Sequence, residues 1–177
     1  GCPGKKSHGL VGSLGKFTGL IAPEPIKRFE PDELAEDTGY DPVAEMYDEV
    51  FEDIRVRRDE WRWIQEHWPD APARALDIGC GNGSLLRTLG DRVARGAGVD
   101  ASRRMVEIAR AHARDEGRSH LEFVHIDGPE LPFADARFDV VVSFLSFRYL
   151  DWDPIMHEIV RVLRPGGRLL VVDMVTS

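Results

Sequence analysis

Hydrophobic residues recur along the chain in two alternating arrangements. Short apolar runs bounded by glycine or charged residues are typical of strands that are covered on both faces of a parallel sheet. Stretches with an apolar residue at every third or fourth position lie between them, as on one face of a helix. The runs predict five strands, at Ala75–Ile78, Gly96–Asp100, Leu121–Ile126, Phe138–Ser143 and Arg168–Asp173.

Helix starts are marked by residues that satisfy free backbone N–H groups. Asp41 followed by Pro42 is such a signal, since aspartate caps a helix and proline fits its first turn. The predicted helices run from Asp41 to about Ile54, over Arg58–His67, around Leu85–Leu89, over Arg103–Ala113, and from Asp153 to Leu163. Strands that alternate with helices predict an α/β fold with a doubly wound, mostly parallel, Rossmann-like sheet.

Composition narrows the class of protein. The 177 residues carry a formal net charge of −8, which argues against a nucleic-acid binder. No apolar run is long enough to span a membrane. Two cysteines, Cys2 and Cys80, make no disulfide framework, which favours a cytoplasmic location. The six histidines show no metal-ligand spacing, so no metal site is predicted.

The N-terminal part differs from the rest in composition. Residues 1–37 hold many of the Gly, Pro and Lys residues and are predicted to form an irregular arm that docks through Phe17–Ile26. Residues 38–177 are predicted to form one domain.

The segment L-D-I-G-C-G-N-G carries the strongest chemical signal. A strand ends at Ile78, and glycines follow at 79, 81 and 83 before a helix, so backbone N–H groups can approach a ligand closely. Gly81 and Gly83 place no Cβ between the backbone and that ligand. The spacing is not the dinucleotide pattern G-x-G-x-x-G, and Asp77 at the loop would repel a pyrophosphate but suits an amino-bearing ligand.

A second acid follows at the end of the next predicted strand. Asp100 lies 100 − 77 = 23 residues after Asp77. This is close to the roughly 20 residues expected for a carboxylate that binds ribose hydroxyls.

Together with L-R-P-G-G-R-L-L-V-V-D near the end of the chain, the glycine segment resembles class I S-adenosylmethionine-dependent methyltransferases. The small-molecule branch, similar to ubiquinone- and menaquinone-biosynthesis methyltransferases, is the nearest in style. The resemblance implies S-adenosylmethionine as the cofactor. It puts Asp100 on the ribose, Ala101, Ser102 and Met105 beside the adenine, and a Y-D…A…Y-D lid over the methionine end. The implied cofactor-binding residues are Tyr40, Tyr47, Asp77, Gly79, Cys80, Gly81, Asp100, Ala101, Met105, Asp127, Gly128 and Ser143.

The chain departs from that family at its end. The family's sheet has two further strands after the fifth, whereas this chain stops at Ser177, as a fragment or a short variant would. The strand Leu169–Val175 would then present an unpaired apolar edge. Missing downstream strands rank first among the solutions, ahead of pairing across a two-fold axis in a homodimer and cover by residues 9–26.

The first functional hypothesis is methyl transfer to a small-molecule acceptor by in-line displacement, in which the protein positions donor and acceptor. No catalytic residue is named, although Arg148 and Tyr149 are placed to touch an acceptor. The alternative is a non-catalytic domain that binds S-adenosylmethionine or S-adenosylhomocysteine, or serves as a scaffold. A nicotinamide dehydrogenase is disfavoured by the glycine spacing and Asp77. Neither a nucleic-acid nor a membrane partner is expected.

Overall fold

A single sheet organises the described residues of the computed structural model, which are 7–13, 44–51 and 53–174. Its six strands lie in the order β1-β6-β5-β2-β3-β4. They span Ser7–Ser13 (β1), Ala73–Ile78 (β2), Val93–Asp100 (β3), Leu121–His125 (β4), Phe138–Phe144 (β5) and Leu163–Met174 (β6). Strands β2 to β6 run parallel and β1 runs antiparallel to β6. This confirms the predicted doubly wound, mostly parallel, Rossmann-like fold.

Within the described residues, five α-helices accompany the sheet and cover both of its faces. Ile64, Leu86 and Val106 come from helices that pack on the face that includes Ala75. Ile155 and its neighbours pack on the opposite face. The helices are Ala44–Phe51 (α1), Arg58–His67 (α2), Ser84–Leu89 (α3), Arg103–Asp115 (α4) and Trp152–Val162 (α5). Because successive β2 residues face opposite sides, β2 is buried on both.

The observed elements differ from the predicted ones mainly at their ends, and most at β6. That strand begins at Leu163, five residues before the predicted start at Arg168. The register moves from Phe138 opposite Leu163 to Val140 opposite Arg168, so residues 164–167 form an irregularity inside the strand. Gly166 within it has φ +79°, a conformation that glycine adopts at little cost.

The prediction of an irregular arm is wrong over Ser7–Ser13. These residues form β1 and pair with β6 from Ser7 opposite Met174 to Ser13 opposite Arg168. The row of backbone groups along the edge of β6 explains this, because pairing satisfies them in spite of the low strand preference of glycine. Of the three solutions for that edge, cover by the N-terminal segment is the one observed. β1 therefore occupies the edge through which the predicted homodimer would pair.

Several predicted features lie outside the described residues. They include Tyr40, the helix start at Asp41 and Pro42, and the docking segment Phe17–Ile26.

The strand order fixes where a ligand site forms. β2 lies between β3 and β5. The chain passes from β2 to β3 and β4 on one side, and then crosses back to β5 and β6 on the other side. A crevice opens beyond the C-terminal ends of strands at such a point. Asp77 and Asp100 lie at these ends of β2 and β3.

Candidate functional site

The glycine loop is held against β3 by its own backbone. The N–H groups of Gly79 and Cys80 both donate to the carbonyl of Val99, at 2.8 and 3.0 Å. Gly79 has φ +75°, and a Cβ there would lie 2.4 Å from Cβ of Ser146. The hydroxyl of Ser146 donates to the carbonyl of Gly79 at 3.0 Å. Glycine at position 79 thus lets the segment that follows β5 pack onto the loop.

Gly83 has a different role from the one predicted. A Cβ on this residue would lie 2.7 Å from Cζ of Phe123 and 3.2 Å from Cβ of Ala109. The missing side chain therefore allows α3 to pack against β4 and α4, and does not face a ligand. The expectation that Gly83 makes room for the ligand is wrong.

Cys80 contributes backbone rather than a reactive thiol. Its side chain is buried, and a Cβ on Gly98 would lie 2.8 Å from its sulfur. Burial, together with the charges of Asp100 and Asp77, holds the pKa of the thiol well above its ordinary value. The thiol stays protonated and packs toward β3.

Asp77 is a buried carboxyl with spare hydrogen-bonding capacity. Its side chain is 1% exposed, and Oδ1 has no hydrogen-bond partner among the described residues. Burial, followed by the nearby charge of Asp100, raises its pKa to about 8. Since a buried acceptor without a partner is costly, such a group fits a donor supplied by a ligand, and above all a cation.

A pocket opens over Asp77 and the glycine loop, beneath α1. Tyr47 of α1 lines it beside Gly81, since a Cβ on Gly81 would lie 3.9 Å from Cε1 of the Tyr47 ring. Burial raises the pKa of the Tyr47 phenol, and the positive charge of Arg57 opposes that rise. The lining residues are Tyr47, Ile54, Val56, Arg57, Asp77, Gly79, Cys80, Gly81, Asn82, Ser84, Leu85, Phe144, Leu145 and Ser146.

Arg57 gives this pocket a positive charge that the sequence analysis did not identify. Its side chain is 28% exposed, and Nη1 of its guanidinium lies 3.9 Å from a carboxylate oxygen of Glu60. A carboxyl at the floor and a guanidinium at the side suit a zwitterionic ligand. Nothing in the local sequence separates Arg57 from the neighbouring arginines at 55 and 58.

Asp100 links the glycine loop to α4. Its Oδ2 accepts from the N–H of Gly81 at 2.8 Å and its Oδ1 from the N–H of Ser102 at 2.9 Å. Burial raises the pKa of Asp100, and these two hydrogen bonds act in the opposite direction. Each carboxylate oxygen retains a lone pair for a hydroxyl donor. The structure therefore brings Asp77, the loop and Asp100 together, as the sequence predicts.

A side-chain network fixes α1 over the loop. Asp48 accepts from Nδ2 of Asn82 at 2.8 Å, and Nε2 of His112 lies 2.9 Å from its other oxygen. Ser84 accepts from the N–H of Ile54 at 2.9 Å. These contacts join α1, the loop and α4. Local sequence does not single out Asn82, Ser84 and His112, because their partners lie far away along the chain.

Comparison with known protein families identifies the one that this chain matches. A model described as "Methyltransferase domain" matches residues 76–171, more than half of the chain and all of the glycine loop and Asp100. The chain belongs to this methyltransferase family.

Named relatives agree with that placement. "Methyltransferase GfsG" of Streptomyces halstedii is 36% identical over 76% of this chain and 46% of its own length. "Demethylmenaquinone methyltransferase" of Thermus thermophilus is 37% identical over 68% of this chain and 54% of its own. The chain therefore spans about half the length of these relatives. Among solved structures, the "[4+2]-Cyclase SpnF" superposes with a TM-score of 0.59 at 34% identity, over 66% of this chain and 44% of that one.

The residues assigned to the adenine lie along a more open part of this methyltransferase domain. Met105 is buried and its N–H donates to the hydroxyl of Ser102 at 3.1 Å, whereas Ala101 and Gly128 are exposed. Asp127 is 81% exposed and lies 3.7 Å from Arg103. Contacts of these residues with an adenine remain predictions.

His125 makes polar contacts through Nε2 of its ring. Its Nε2 lies 3.0 Å from the carbonyl of Ala101 and 3.3 Å from Oδ1 of Asp127. The ring thus bridges the segments that follow β3 and β4.

Ser143 does not reach the pocket. Its side chain is fully buried, and its hydroxyl has no partner among the described residues. Asp77 pairs with Val142 across β2 and β5. Because side chains alternate along a strand, Ser143 faces the side of the sheet opposite to Asp77. The side chain of Ser143 therefore lies away from this pocket, and its contact with the cofactor stays a prediction.

The segment after β5 carries strain beside the pocket. Leu145 has φ +61°, which a leucine rarely adopts, and its N–H donates to the carbonyl of Val172 at 2.6 Å. Arg148 forms an ion pair with Asp173, and its guanidinium lies 4.7 Å above the ring of Tyr149. Arg148 thereby ties this segment to β6, and its predicted contact with an acceptor stays a prediction.

Two features are absent from the described part of the chain. There, no cluster of three or more histidine, cysteine or acidic residues is arranged to hold a metal ion. None of the helices in those ranges is long and apolar enough to cross a membrane.

Proposed function

We propose that this chain binds S-adenosylmethionine and transfers its methyl group to a small-molecule acceptor. The observation that carries the proposal is the buried carboxyl of Asp77, whose unpartnered oxygen lies at a pocket that also contains Arg57. The amino-acid end of the cofactor carries an ammonium and a carboxylate. Asp77 would accept from the first and Arg57 would pair with the second.

The other site residues complete the binding surface. Asp100 would accept from the ribose hydroxyls while the N–H groups of Gly81 and Ser102 hold its carboxylate in place. Tyr47 would cover the methionine end and keep water away from it. We assign Tyr40 to the same lid and Ala101, Met105, Asp127 and Gly128 to the adenine side of the site. Ser143 is assigned to the strand ends beside the cofactor, outside the pocket that Asp77 and Arg57 line.

Methyl transfer places modest chemical demands on these side chains. The cofactor supplies a methyl group that is already activated for displacement. The protein then has to hold donor and acceptor in line and exclude water, and a base is needed only for an acceptor that must lose a proton. The name of the Thermus thermophilus relative points to a quinone-type acceptor in that protein. For this chain we propose a small metabolite without further definition, and a cytoplasmic location.

One structural comparison supports a second candidate function. One solved structure that is 34% identical to this chain is named a cyclase and not a methyltransferase. A similar fold can therefore serve a function other than methyl transfer. In this alternative the chain binds the cofactor without transferring its methyl group. Both functions predict cofactor binding, so binding alone does not separate them. Turnover with a metabolite extract, followed as release of S-adenosylhomocysteine, is expected only of the methyltransferase.

Gly81→Val tests the placement of the site. The backbone at Gly81 has φ +51°, and valine would fill the gap to Tyr47. We expect calorimetric binding of S-adenosylhomocysteine to wild type, no binding to the variant, and no binding of NAD to either. Gly117→Val is the matched control, since Gly117 also has a positive φ, +67°, but has open space where its Cβ would be. Unchanged affinity in Gly81→Val would contradict the placement.

A further inference from the structure

The outer edge of β4, on the side away from β3, is a second surface that could bind a partner. β4 lies at the end of the sheet and pairs with β3 alone among the described strands. The N–H of Gly96 donates to His120, and that of Ile126 donates to Asp100. In a parallel ladder the backbone groups alternate in direction, so the even-numbered residues face β3. The backbone groups of Leu121, Phe123 and His125 therefore face outward.

One arginine already occupies part of this edge. Nε of Arg110 on α4 donates to the outward carbonyl of Phe123 at 2.8 Å. The outward N–H of Leu121 is taken by the carbonyl of Arg118 at 3.0 Å. For the N–H of Phe123 and the carbonyl of Leu121, no partner occurs within the ranges that the structure describes. A charged side chain that lies over a sheet edge is a common guard against unwanted pairing.

An open groove of about 590 Å³ runs beside the edge, between β4 and the C-terminal half of α4. Its floor is apolar, since it includes Ala113, Leu121 and Phe123. Its remaining lining residues are Arg110, Arg114, Gly117, Arg118, Ser119, Glu122 and Val124.

The charge of the groove is opposite to that of the chain. Three arginines line it, whereas the chain as a whole carries −8. Among the described residues that line it, Glu122 is the one acid and forms an ion pair with Arg137, while Arg118 lies 3.6 Å from Glu116. Arg110 and Arg114 form no ion pair within residues 7–13, 44–51 and 53–174. Two guanidinium charges therefore remain uncompensated by acids beside free backbone groups.

We propose that this edge and groove bind an extended acidic segment of a partner protein, which adds a strand to β4. Apolar side chains of the segment would lie on the floor formed by Leu121 and Ala113. Its carboxylates would pair with Arg110 and Arg114. Once a carboxylate draws Arg110 away, the carbonyl of Phe123 can accept from the backbone of the segment. The positive charge of the groove would select an acidic segment, and pairing with the backbone of β4 would require that segment to be extended.

The probe is a short fluorescent peptide that alternates valine and glutamate and is capped at both ends. A peptide in which lysine replaces each glutamate is the control for charge. We expect the acidic peptide to raise fluorescence anisotropy with the full chain, and the basic peptide to leave it unchanged. Arg110→Glu combined with Arg114→Glu should weaken binding at least about tenfold, because two attractive contacts become repulsive.

Arg62→Glu provides a matched charge reversal on α2, where Arg62 is exposed and pairs only with Asp59 within the described ranges. It should bind the acidic peptide as wild type does. All variants should keep the melting temperature and the affinity for S-adenosylhomocysteine, which shows that they fold.

Amide hydrogen exchange distinguishes strand addition from simple attraction of anions. Saturating peptide should slow exchange of the Phe123 N–H at least about tenfold, while Val124, which already pairs with β3, should change little. Heparin serves as a competing polyanion without a peptide backbone. The proposal is overturned if the acidic peptide does not bind. It is also overturned if heparin displaces the peptide and the Phe123 amide exchanges at an unchanged rate, which would indicate a general anion patch.

Discussion

Replacement of Asp77 by asparagine should separate the stability of the empty fold from its capacity to bind ligand. The carboxyl is 1% exposed and burial raises its pKa from an ordinary 3.8 to about 8. A carboxyl whose pKa is higher in the folded state stabilises the fold while it is protonated, and that stability is lost as the pH rises. Between pH 5 and 7 the unfolded chain has an ionised Asp77 and the folded chain does not. The free energy of unfolding should therefore fall with pH in this window.

The slope follows from the same pKa values. One proton of difference between the two states corresponds to about 1.4 kcal/mol per pH unit, so wild type should lose on the order of 3 kcal/mol relative to Asp77→Asn between pH 5 and 7. This is a large share of the ~5–15 kcal/mol that stabilises a typical domain. At pH 7 and above, the variant should thus be the more stable protein in the absence of ligand.

Urea unfolding of the ligand-free chain at several pH values measures the difference. Asp139→Asn is an informative control, because the pKa of Asp139 is lowered overall. Burial raises that pKa, but hydrogen bonds from Arg74 and the charges of Arg74 and Arg164 outweigh the effect of burial. A carboxyl with a lowered pKa stabilises the fold when ionised, so this variant should lose stability at neutral pH. Parallel profiles for wild type and Asp77→Asn would refute the reasoning about the buried carboxyl.

Ligand affinity should change in the opposite direction. A bound ammonium favours the ionised form of Asp77, so wild-type affinity for S-adenosylhomocysteine should increase with pH up to about 8 and then level off. Asp77→Asn cannot ionise, so its weaker affinity should not follow this titration. Equal pH dependence of binding in both proteins would place the ammonium elsewhere.

Three further substitutions test the neighbouring contacts. Arg57→Gln should weaken binding of S-adenosylhomocysteine about tenfold to a hundredfold but leave a decarboxylated analogue unaffected, while the exposed Arg58→Gln should change neither in calorimetry. Asp100→Ala should cause a similar loss, and an analogue that lacks both ribose hydroxyls should bind variant and wild type alike unless the ribose assignment is wrong. Asp48→Ala should lower the free energy of unfolding by about 1–3 kcal/mol and weaken cofactor binding, because Asn82 loses its acceptor. If Asp48→Ala costs no more than the exposed control Asp59→Ala, the network does not hold α1 in place.

The local chemistry of the loop was the most predictable part of the molecule. A strand that ends at Ile78, a turn that needs positive φ at Gly79 and Gly81, and an acid at the next strand end follow from nearby residues and from the topology of parallel sheets. That is why Asp77 and Asp100 meet where they were expected.

Features that depend on distant partners were not predictable from local pattern. The network of Asp48, Asn82 and His112 joins residues up to 64 positions apart. Gly83 could not be distinguished from its neighbours because the reason for it is the ring of Phe123, on another strand. Ser143 lies at a strand end as predicted, but the alternation of side chains turns it to the other face.

The antiparallel strand β1 has a consequence for the order in which the fold assembles. Its pairing of Ser13 with Arg168 closes a loop of 168 − 13 = 155 residues, whereas pairing of Val140 with Arg168 closes only 28. Closing the longer loop costs about 1.5 kcal/mol more chain entropy, since the cost grows with the logarithm of loop length. The parallel strands can therefore assemble as a nucleus before the N-terminal segment is recruited. β1 should be the last strand to join the sheet during folding and the first to leave it during unfolding.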